Sequence, residues 1–326
     1  MGIRFTKEGF LTTIQDDGRY GYQSLGFSTN GVMDQLAMKH ANLLVNNNNV
    51  KEAVLEMSII GPSMTFEADM VIALTGADMS PKVNHKPVPL NKPLVIQAGD
   101  RLDLHAAKNG VYTYLAISGG FDIADTLNSK STALHVGIGG FKGRAIQTGD
   151  YLPIRTSLKR TPVHWGLSSD VTSYIYDEKK VIHYIEGRQY DWFTDEAKAA
   201  IDEELFQLTP QSNRMGFRLT GPMLEHKETK QLLTEATTFG TIQVPPSGEA
   251  IILMADRQPT GGYPKIGQVI QDDLPKLSQI RPGQTFHFVR CTLEEAQQKM
   301  LEKERQLNRL QAAIQLKWKE WGHAHN

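Results

Sequence analysis

The sequence predicts a mainly β protein made of two barrel-like units and a long C-terminal α-helix. Most of its 326 residues fall into short β-rich runs punctuated by Gly, Pro, Asn and Asp. The two halves rhyme weakly. "GPSMTFEADMVIALTGAD" precedes "LVIQAGDRLDLHAA" in one, and "IQVPPSGEAIILMADRQ" precedes "LSQIRPGQTFHFVR" in the other. The last ~35 residues turn glycine-poor, charge-alternating and helical in period. The length exceeds one typical core, so domains are expected at 1–155 and 156–290, with the helix at 291–326. The first boundary falls near "LPIRTSLKRTPVHWG", where pattern gives way to charge and proline.

Taken in order, "VMDQLAMKHANLLV" reads as a helix, with Leu36, His40, Leu43 and Leu44 on one face and Asn30 or Asp34 at its start. Ser63–Phe66 and Met70–Leu74 read as strands between turn signals. "KPLVIQAGDRLDLHAA" reads as two more, joined by Gly99-Asp100 as a tight hairpin. "GVYTYLAISGG" is β-rich through Val111, Tyr112, Thr113 and Tyr114. Asp195–Phe206, "DEAKAAIDEELF", reads as a second helix. Thr292 and Glu295 form a capping box for the terminal helix. Its stripe of Leu293, Met300, Leu307, Ile314 and Trp321 recurs every seventh residue, beside Leu310. That stripe suits packing on the helix's own barrel, or a seam with a second copy or a partner. On the seam reading, removing residues from Leu307 onward weakens assembly without unfolding the barrels.

Composition narrows the function. With 35 basic and 36 acidic residues the net charge is −1, so no global field draws in nucleic acid or anionic lipid. No run approaches the ~20 apolar residues that span a bilayer. The N-terminus carries no apolar signal region, and although Gly2 and Thr6 have myristoylation spacing, "IRF" reads better as a strand start. Cys291 is the only cysteine, so no internal disulfide forms. A cytoplasmic protein is expected. The ten histidines show no His-Glu-x-x-His pattern, and no metal site is expected; His323 and His325 would bind metal only adventitiously. No Gly-x-Ser-x-Gly elbow supports a serine hydrolase.

Four stretches carry polar chemistry. "AMKH" around Lys39 resembles a biotin-carrier tripeptide but lies in a helical pattern rather than at a hairpin tip. "GIGGFKGR" lacks the ending of a phosphate loop and reads either as a ligand-approaching glycine loop with Arg144 facing an anion or as a plain connection. "QSNRMGFRLTGP" sets Asn213, Arg214 and Arg218 around Gly216, either as a solvated turn or as an anion-facing loop. "ADRQPTGGYPKIG" ends an apolar strand with a dense polar loop. Gly261-Gly262 turns it, and Pro259 and Pro264 pre-order it. Arg257 and Lys265 would neutralise an acidic ligand, with Arg257 as an exposed loop charge. Gln258 and Gln243 would read an amide, since a carboxamide is both donor and acceptor.

Together with "TTIQDDGRYGYQSLGFSTNGVMDQLAMKHANLLV", "LEMSIIGPSMTF", "ALTGAD", "LAISGGF", "SKSTALHVGIGGFKGR" and "PGQTFHF", these stretches resemble one family: allophanate hydrolase subunit 2, or biotin-dependent carboxyltransferase-like. It includes the carboxyltransferase region of urea carboxylase and the stand-alone C subunit of bacterial 5-oxoprolinase, also called the Kip antagonist. The resemblance runs to Phe288 and implies two cyclophilin-like barrels with the active-site cleft between them. Asn30, Lys130 and Pro259 depart from the usual family residues. The length suits a stand-alone subunit, which implies an ATP-dependent 5-oxoprolinase complex acting with subunits A and B on a small amide, without biotin on this chain. The alternatives are carboxyl transfer to a urea-like amide, and antagonism of a kinase-inhibitor protein. The resemblance implies catalytic roles for Asp34, Arg257, Gln258, Tyr263 and Lys265. It implies substrate binding by Asn30, Gln243, Arg214, Thr260, Gly261 and Gly262, with Arg214 on a carboxylate or phosphate.

Overall fold

The structure is a computed structural model that describes residues 1–155, 165–228 and 230–324. Thr156–His164, at the expected domain boundary, and His325 lie outside the described residues. The chain is mainly β, with a closed barrel and a long terminal helix, as the sequence predicts. It divides into two compact units. The first comprises Met1–Arg19, Asn30–Tyr176 and Gln306–Asn326, and the second Tyr20–Thr29 with Asp177–Arg305.

In the first unit, two antiparallel sheets share one core. The six-stranded sheet runs Tyr151–Pro153, Gly2–Lys7, Ser63–Phe66, Arg101–Asp103, Lys82–Val83, Lys86–Pro87. The five-stranded sheet runs Leu11–Gln15, Val54–Ser58, Tyr112–Ile117, Met70–Gly76, Pro93–Ile96. Ile3, Phe5, Phe66 and Leu102 of the first sheet pack with Leu55, Met57, Ile72, Leu74 and Leu115 of the second. Side chains alternate across a pleated strand, so one face of each sheet builds this core. The central strands Met70–Gly76 and Tyr112–Ile117 are buried on both faces, because the helix Gln35–Leu44 packs on them. That contact buries the helix more completely than a single apolar stripe predicts, taking in Met38, Ala41 and Asn42. Asp34 is its N-cap, accepting from the Ala37 amide at 2.9 Å.

Gly99-Asp100 does not close a hairpin. Pro93–Ile96 pairs with Met70–Gly76, whereas Arg101–Asp103 pairs with Ser63–Phe66. The dipeptide is a corner between sheets: Gly99 donates to the Phe66 carbonyl, and the Asp100 carboxylate takes the Gln97 amide. A glycine-containing turn permits both geometries, and the apolar partners of each flanking strand select the corner.

The second unit contains a closed seven-stranded barrel, in the order Val181–Glu186, Lys265–Val269, Thr241–Gln243, Ile251–Leu253, Gly216–Thr220, Leu205–Leu208, Thr285–Arg290. An odd ring cannot alternate throughout, and it closes through one parallel pair, Val181–Glu186 with Thr285–Arg290. Ile182, Tyr184, Phe206, Phe217, Ile242, Ile252, Phe286 and Phe288 fill the interior. Phe288 makes edge contacts with Phe206 and Phe286. The expected Asp195–Phe206 helix stops at Glu203, and Leu205–Leu208 joins the barrel. Phe206 and Leu208 gain more by facing the barrel core than by extending an exposed helix.

The terminal helix Leu293–Ala324 starts on its capping box, with Thr292 and Glu295 bonded reciprocally at 2.8 and 3.1 Å. Its stripe is used unevenly. Leu293 and Met300 are exposed, while Ile314 is 4% exposed, and Trp318, outside the stripe one turn further on, is 6% exposed. Trp318 meets Trp165 edge-on, centroids 6.4 Å apart, within the first unit. The side chain of Trp321 lies outside the described residues.

One ion-pair cluster in the first unit makes stability depend on pH. Glu52 bonds Lys130 and Arg155, each at 2.8 Å. Burial pushes its carboxyl up, but the hydrogen bonds and charges of Lys130 and Arg155 outweigh this and hold it below 4.5. A lowered folded pKa stabilises above the unfolded value, and the contribution vanishes as pH falls through the folded value. The expected result is a urea midpoint that declines on acidification below 4.5. Glu52→Gln should lose about 1 kcal/mol at neutral pH and show a shallower decline. Equal pH slopes for the two proteins would refute the assignment.

Candidate functional site

Three adjacent barrel strands build a pocket on their outer faces. Along Gly216–Thr220, Phe217 and Leu219 point into the barrel, leaving Gly216 and Arg218 outside. Ile252 and Ile242 likewise point inward, leaving Ile251, Leu253 and Gln243 outside. Register then aligns the outward residues: Arg218 opposes Ile251, and Ile251 opposes Gln243. Gln258, Thr260, Gly261, Gly262 and Tyr263 complete the walls of a cavity of 310 Å³.

Gln243 is 5% exposed, and its Nε2 has no hydrogen-bond partner among the described residues. A buried unsatisfied amide costs about 1–3 kcal/mol, so such a group in a pocket wall points to a ligand acceptor. Gly261 preserves that geometry, because a Cβ there would stand 2.5 Å from Gln243 Nε2. The loop itself is fixed. Glu235–Ala236 pairs with Thr260–Gly261, and Thr237 Oγ1 donates to the Gln258 carbonyl at 2.6 Å. Tyr263 is 46% exposed at the rim. A neighbouring cavity of 680 Å³, with His226 and Pro246 in its walls, shares Gly262 and Tyr263.

The basic residues have separate fates. Lys265, directly across the ladder from Gln243, is buried and paired with Glu235 at 3.1 Å. That bond holds the Glu235 carboxyl below its ordinary value. Arg214 forms a two-pronged pair with Asp256, at 2.8 and 3.0 Å, so its fork holds the loop rather than standing open to an anion. Arg257 is not the exposed loop charge that the sequence suggests. It is 9% exposed, bonds Thr29 Oγ1 at 3.1 Å, and keeps an Nε without a partner among the described residues. Burial lowers its pKa to about 10, which leaves it charged at neutral pH. The chain turns after Asp256, and the Tyr20–Thr29 segment of the same unit meets this side chain.

In the first unit, Asp34 and Asn30 sit in hydrogen-bond networks. Asp34 is fully buried. Tyr174 donates to its Oδ2 at 2.7 Å, and its amide donates to Tyr114 Oη at 2.8 Å, which in turn donates to Glu56 at 2.9 Å. Burial beside Asp34 raises the Tyr174 hydroxyl well above its ordinary pKa, so it stays a donor. Asn30, at φ 54°, accepts from Arg19, which also binds the Thr126 and Ser131 carbonyls. Asp16 collects the Ser129 hydroxyl and the Lys130 amide at 2.8 and 2.6 Å. Sequence reasoning assigned no role to Arg19, Asp16, Glu56, Tyr114 or Tyr174. The "DDGR" and "SKST" motifs held the signal for Arg19 and Asp16, but their mutual contact is non-local.

Other motifs resolve into packing. A Cβ at Gly139 would stand 2.2 Å from the Ser131 carbonyl, and one at Gly140 1.9 Å from Thr132 Oγ1. Arg144 in the same loop is clamped by Asp150 at 2.6 and 2.7 Å. Lys39 lies within the helix Gln35–Leu44. Among the described residues no group of three His, Cys, Asp or Glu could hold a metal ion, and no helix is long and apolar enough to cross a membrane.

Fold and pocket define a class: a β-barrel protein whose second unit carries, on the barrel's outer wall, a pocket lined by carboxamide, hydroxyl and glycine residues. The chain belongs to the carboxyltransferase domain family, subdomain A and B, whose model matches residues 25–290. It is 38% identical over 294 residues to the C subunit of 5-oxoprolinase from Escherichia coli (strain K12), covering 90% of this chain and 93% of that protein. It is 39% identical over 284 residues to the C subunit of 5-oxoprolinase from Haemophilus influenzae, covering 87% and 89%. The crystal structure of Kluyveromyces lactis urea carboxylase matches with a TM-score of 0.88 at 26% identity, covering 94% of this chain and 29% of that longer one.

Proposed function

We propose that the chain is the C subunit of an ATP-dependent 5-oxoprolinase, opening 5-oxo-L-proline to L-glutamate together with subunits A and B in the cytoplasm. The observation that carries the proposal is the unpartnered, buried Nε2 of Gln243 in the pocket wall. The 38% identity to a 5-oxoprolinase C subunit supports it. In this reading Gln243 donates to the ring carbonyl oxygen. Gln258, Thr260 and Tyr263 orient the ring from the loop, and Gly261-Gly262 lets backbone approach it. Lys265, anchored on Glu235, places positive charge behind Gln243. Arg257 keeps a buried charge beside the loop. Asp34 and Asn30 enter through the family resemblance, each oriented by the bonds described above. Water adds to the amide carbon, the C–N bond breaks, and the ring nitrogen leaves with a proton as the glutamate amine.

A nucleotide bound by the complex would supply the driving force by phosphorylating the amide oxygen, with ADP leaving at that transfer and inorganic phosphate leaving from the same oxygen as the carboxylate forms. The residues of this chain do not fit a nucleotide at the glycine loop: Ser131 and Thr132 fill the space before Gly139 and Gly140, and Asp150 occupies Arg144. ATP is therefore assigned to the complex. Biotin is not expected here either, since Lys39 is helical. A second reading, carboxyl transfer to a urea-like amide, draws on the likeness to urea carboxylase.

The test is reconstitution with subunits A and B, following glutamate release from 5-oxo-L-proline. Release should require ATP and this chain. Release that is undiminished without this chain, or absent with all three, would overturn the proposal. Carboxylation of urea with a biotinylated carrier protein would favour the second reading.

A further inference from the structure

We propose that Arg218 is the specificity-determining anchor of the pocket, making it select an amide that bears a carboxylate over a neutral amide. The inference rests on reading the cavity as an amide site and names the second group its ligand must carry.

Elimination identifies the residue. Of the basic residues in the two polar stretches, Arg214 is held by Asp256 and Lys265 by Glu235. Arg257 is buried against Thr29 and does not line the cavity. Arg218 does line it, and its guanidinium has no ion pair or hydrogen bond among the described residues. No acidic side chain is among those lining the cavity. The pocket therefore carries one positive charge with no acidic side chain beside it, which a ligand carboxylate can pair and a neutral ligand leaves to water.

Geometry gives the charge its partner. Arg218 and Gln243 each oppose Ile251 on neighbouring strands. Strands lie about 4.8 Å apart, so the two α-carbons flank Ile251 at about 10 Å, with both side chains on the outer face. Gly216, on the same face as Arg218, lines the cavity without adding a side chain to it. A small lactam on Ile251 can thus give its carbonyl to Gln243 and its carboxylate to Arg218. In 5-oxoproline both groups flank the ring nitrogen. The planar fork of arginine binds a carboxylate through two parallel bonds. Urea has no group for it.

The experiment compares 5-oxo-L-proline with 2-pyrrolidinone, the same lactam without the carboxylate. It uses calorimetry on the full chain and steady-state kinetics in the reconstituted three-component complex. Arg218→Gln should raise KM for 5-oxo-L-proline about 30-fold while kcat changes little, as expected for loss of a charge-assisted contact made equally in ground and transition states. Arg218→Lys should recover part of the loss. Affinity for 2-pyrrolidinone should be weak in the wild type and unchanged by either substitution. Thermal unfolding of both variants should match the wild type, because the side chain is exposed. If the wild-type complex turns over 5-oxo-L-proline and Arg218→Gln leaves its KM unchanged, the anchor is wrong and the parent reading stands. If the wild-type chain and complex neither bind nor turn over 5-oxo-L-proline, the parent reading fails and the anchor falls with it.

Discussion

Gln243→Leu should reduce glutamate release by the reconstituted complex at least about 100-fold while leaving the chain as stable as the wild type or more so. Leucine keeps the volume and removes the carboxamide. A preorganised hydrogen bond to the developing charge of the transition state contributes about 3 kcal/mol, which is that rate factor. Stability should move the other way because the Nε2 has no partner among the described residues. Removing it relieves about 1–3 kcal/mol of desolvation cost. Gln243→Glu is the control, since it keeps the shape and inverts the hydrogen-bonding role. Turnover and thermal unfolding read the two effects separately. Retained turnover in Gln243→Leu would exclude the amide-reading role, and a large fall in stability would make Gln243 an ordinary core residue.

Ending the chain at Gln306 should destabilise the first unit by about 5 kcal/mol or more. The seam reading of the heptad stripe implies the opposite, a helix removable without loss of fold. Tertiary packing reverses that expectation. Ile314 and Trp318 are buried in the first unit, and Trp318 packs on Trp165. Deleting a buried aromatic side chain costs about 3–5 kcal/mol, and deleting a buried isoleucine about 2–5. The single variant Trp318→Ala should reproduce about 3–5 kcal/mol of the effect in urea titrations. An unchanged urea midpoint in the truncated chain would return the helix to the role of a detachable docking element. The exposed Leu293 and Met300 leave the first half of the helix for any such role.

Local chemistry made much of the fold legible. Strands Ser63–Phe66 and Met70–Gly76 announce themselves by composition and flanking turns, and Asp34 and the Thr292–Glu295 box mark helix starts by bonds that span three residues. The polar loop from Arg257 to Lys265 was also visible, because glycine, proline and carboxamides at a strand end are local facts. The partners of these residues were not visible. Pro93–Ile96 and Arg101–Asp103 look like one hairpin and join different sheets. Arg214, Arg218, Arg257 and Lys265 look alike as cations in two glycine-bearing polar stretches. Pairing to Asp256 and Glu235, and burial against Thr29, remove three of them from the cavity wall and leave Arg218.

By itself, then, the sequence determined the class of protein, the order of its elements and the loop that carries the polar chemistry, since periodicity, turn residues and caps act within a few positions along the chain. Tertiary structure decided which strand crosses to which sheet, which half of the terminal helix enters the core and which cation faces the cavity. Those outcomes depend on barrel register and on carboxylates tens of residues distant, such as Asp256 for Arg214 and Glu235 for Lys265, whose proximity exists only once the barrel has closed.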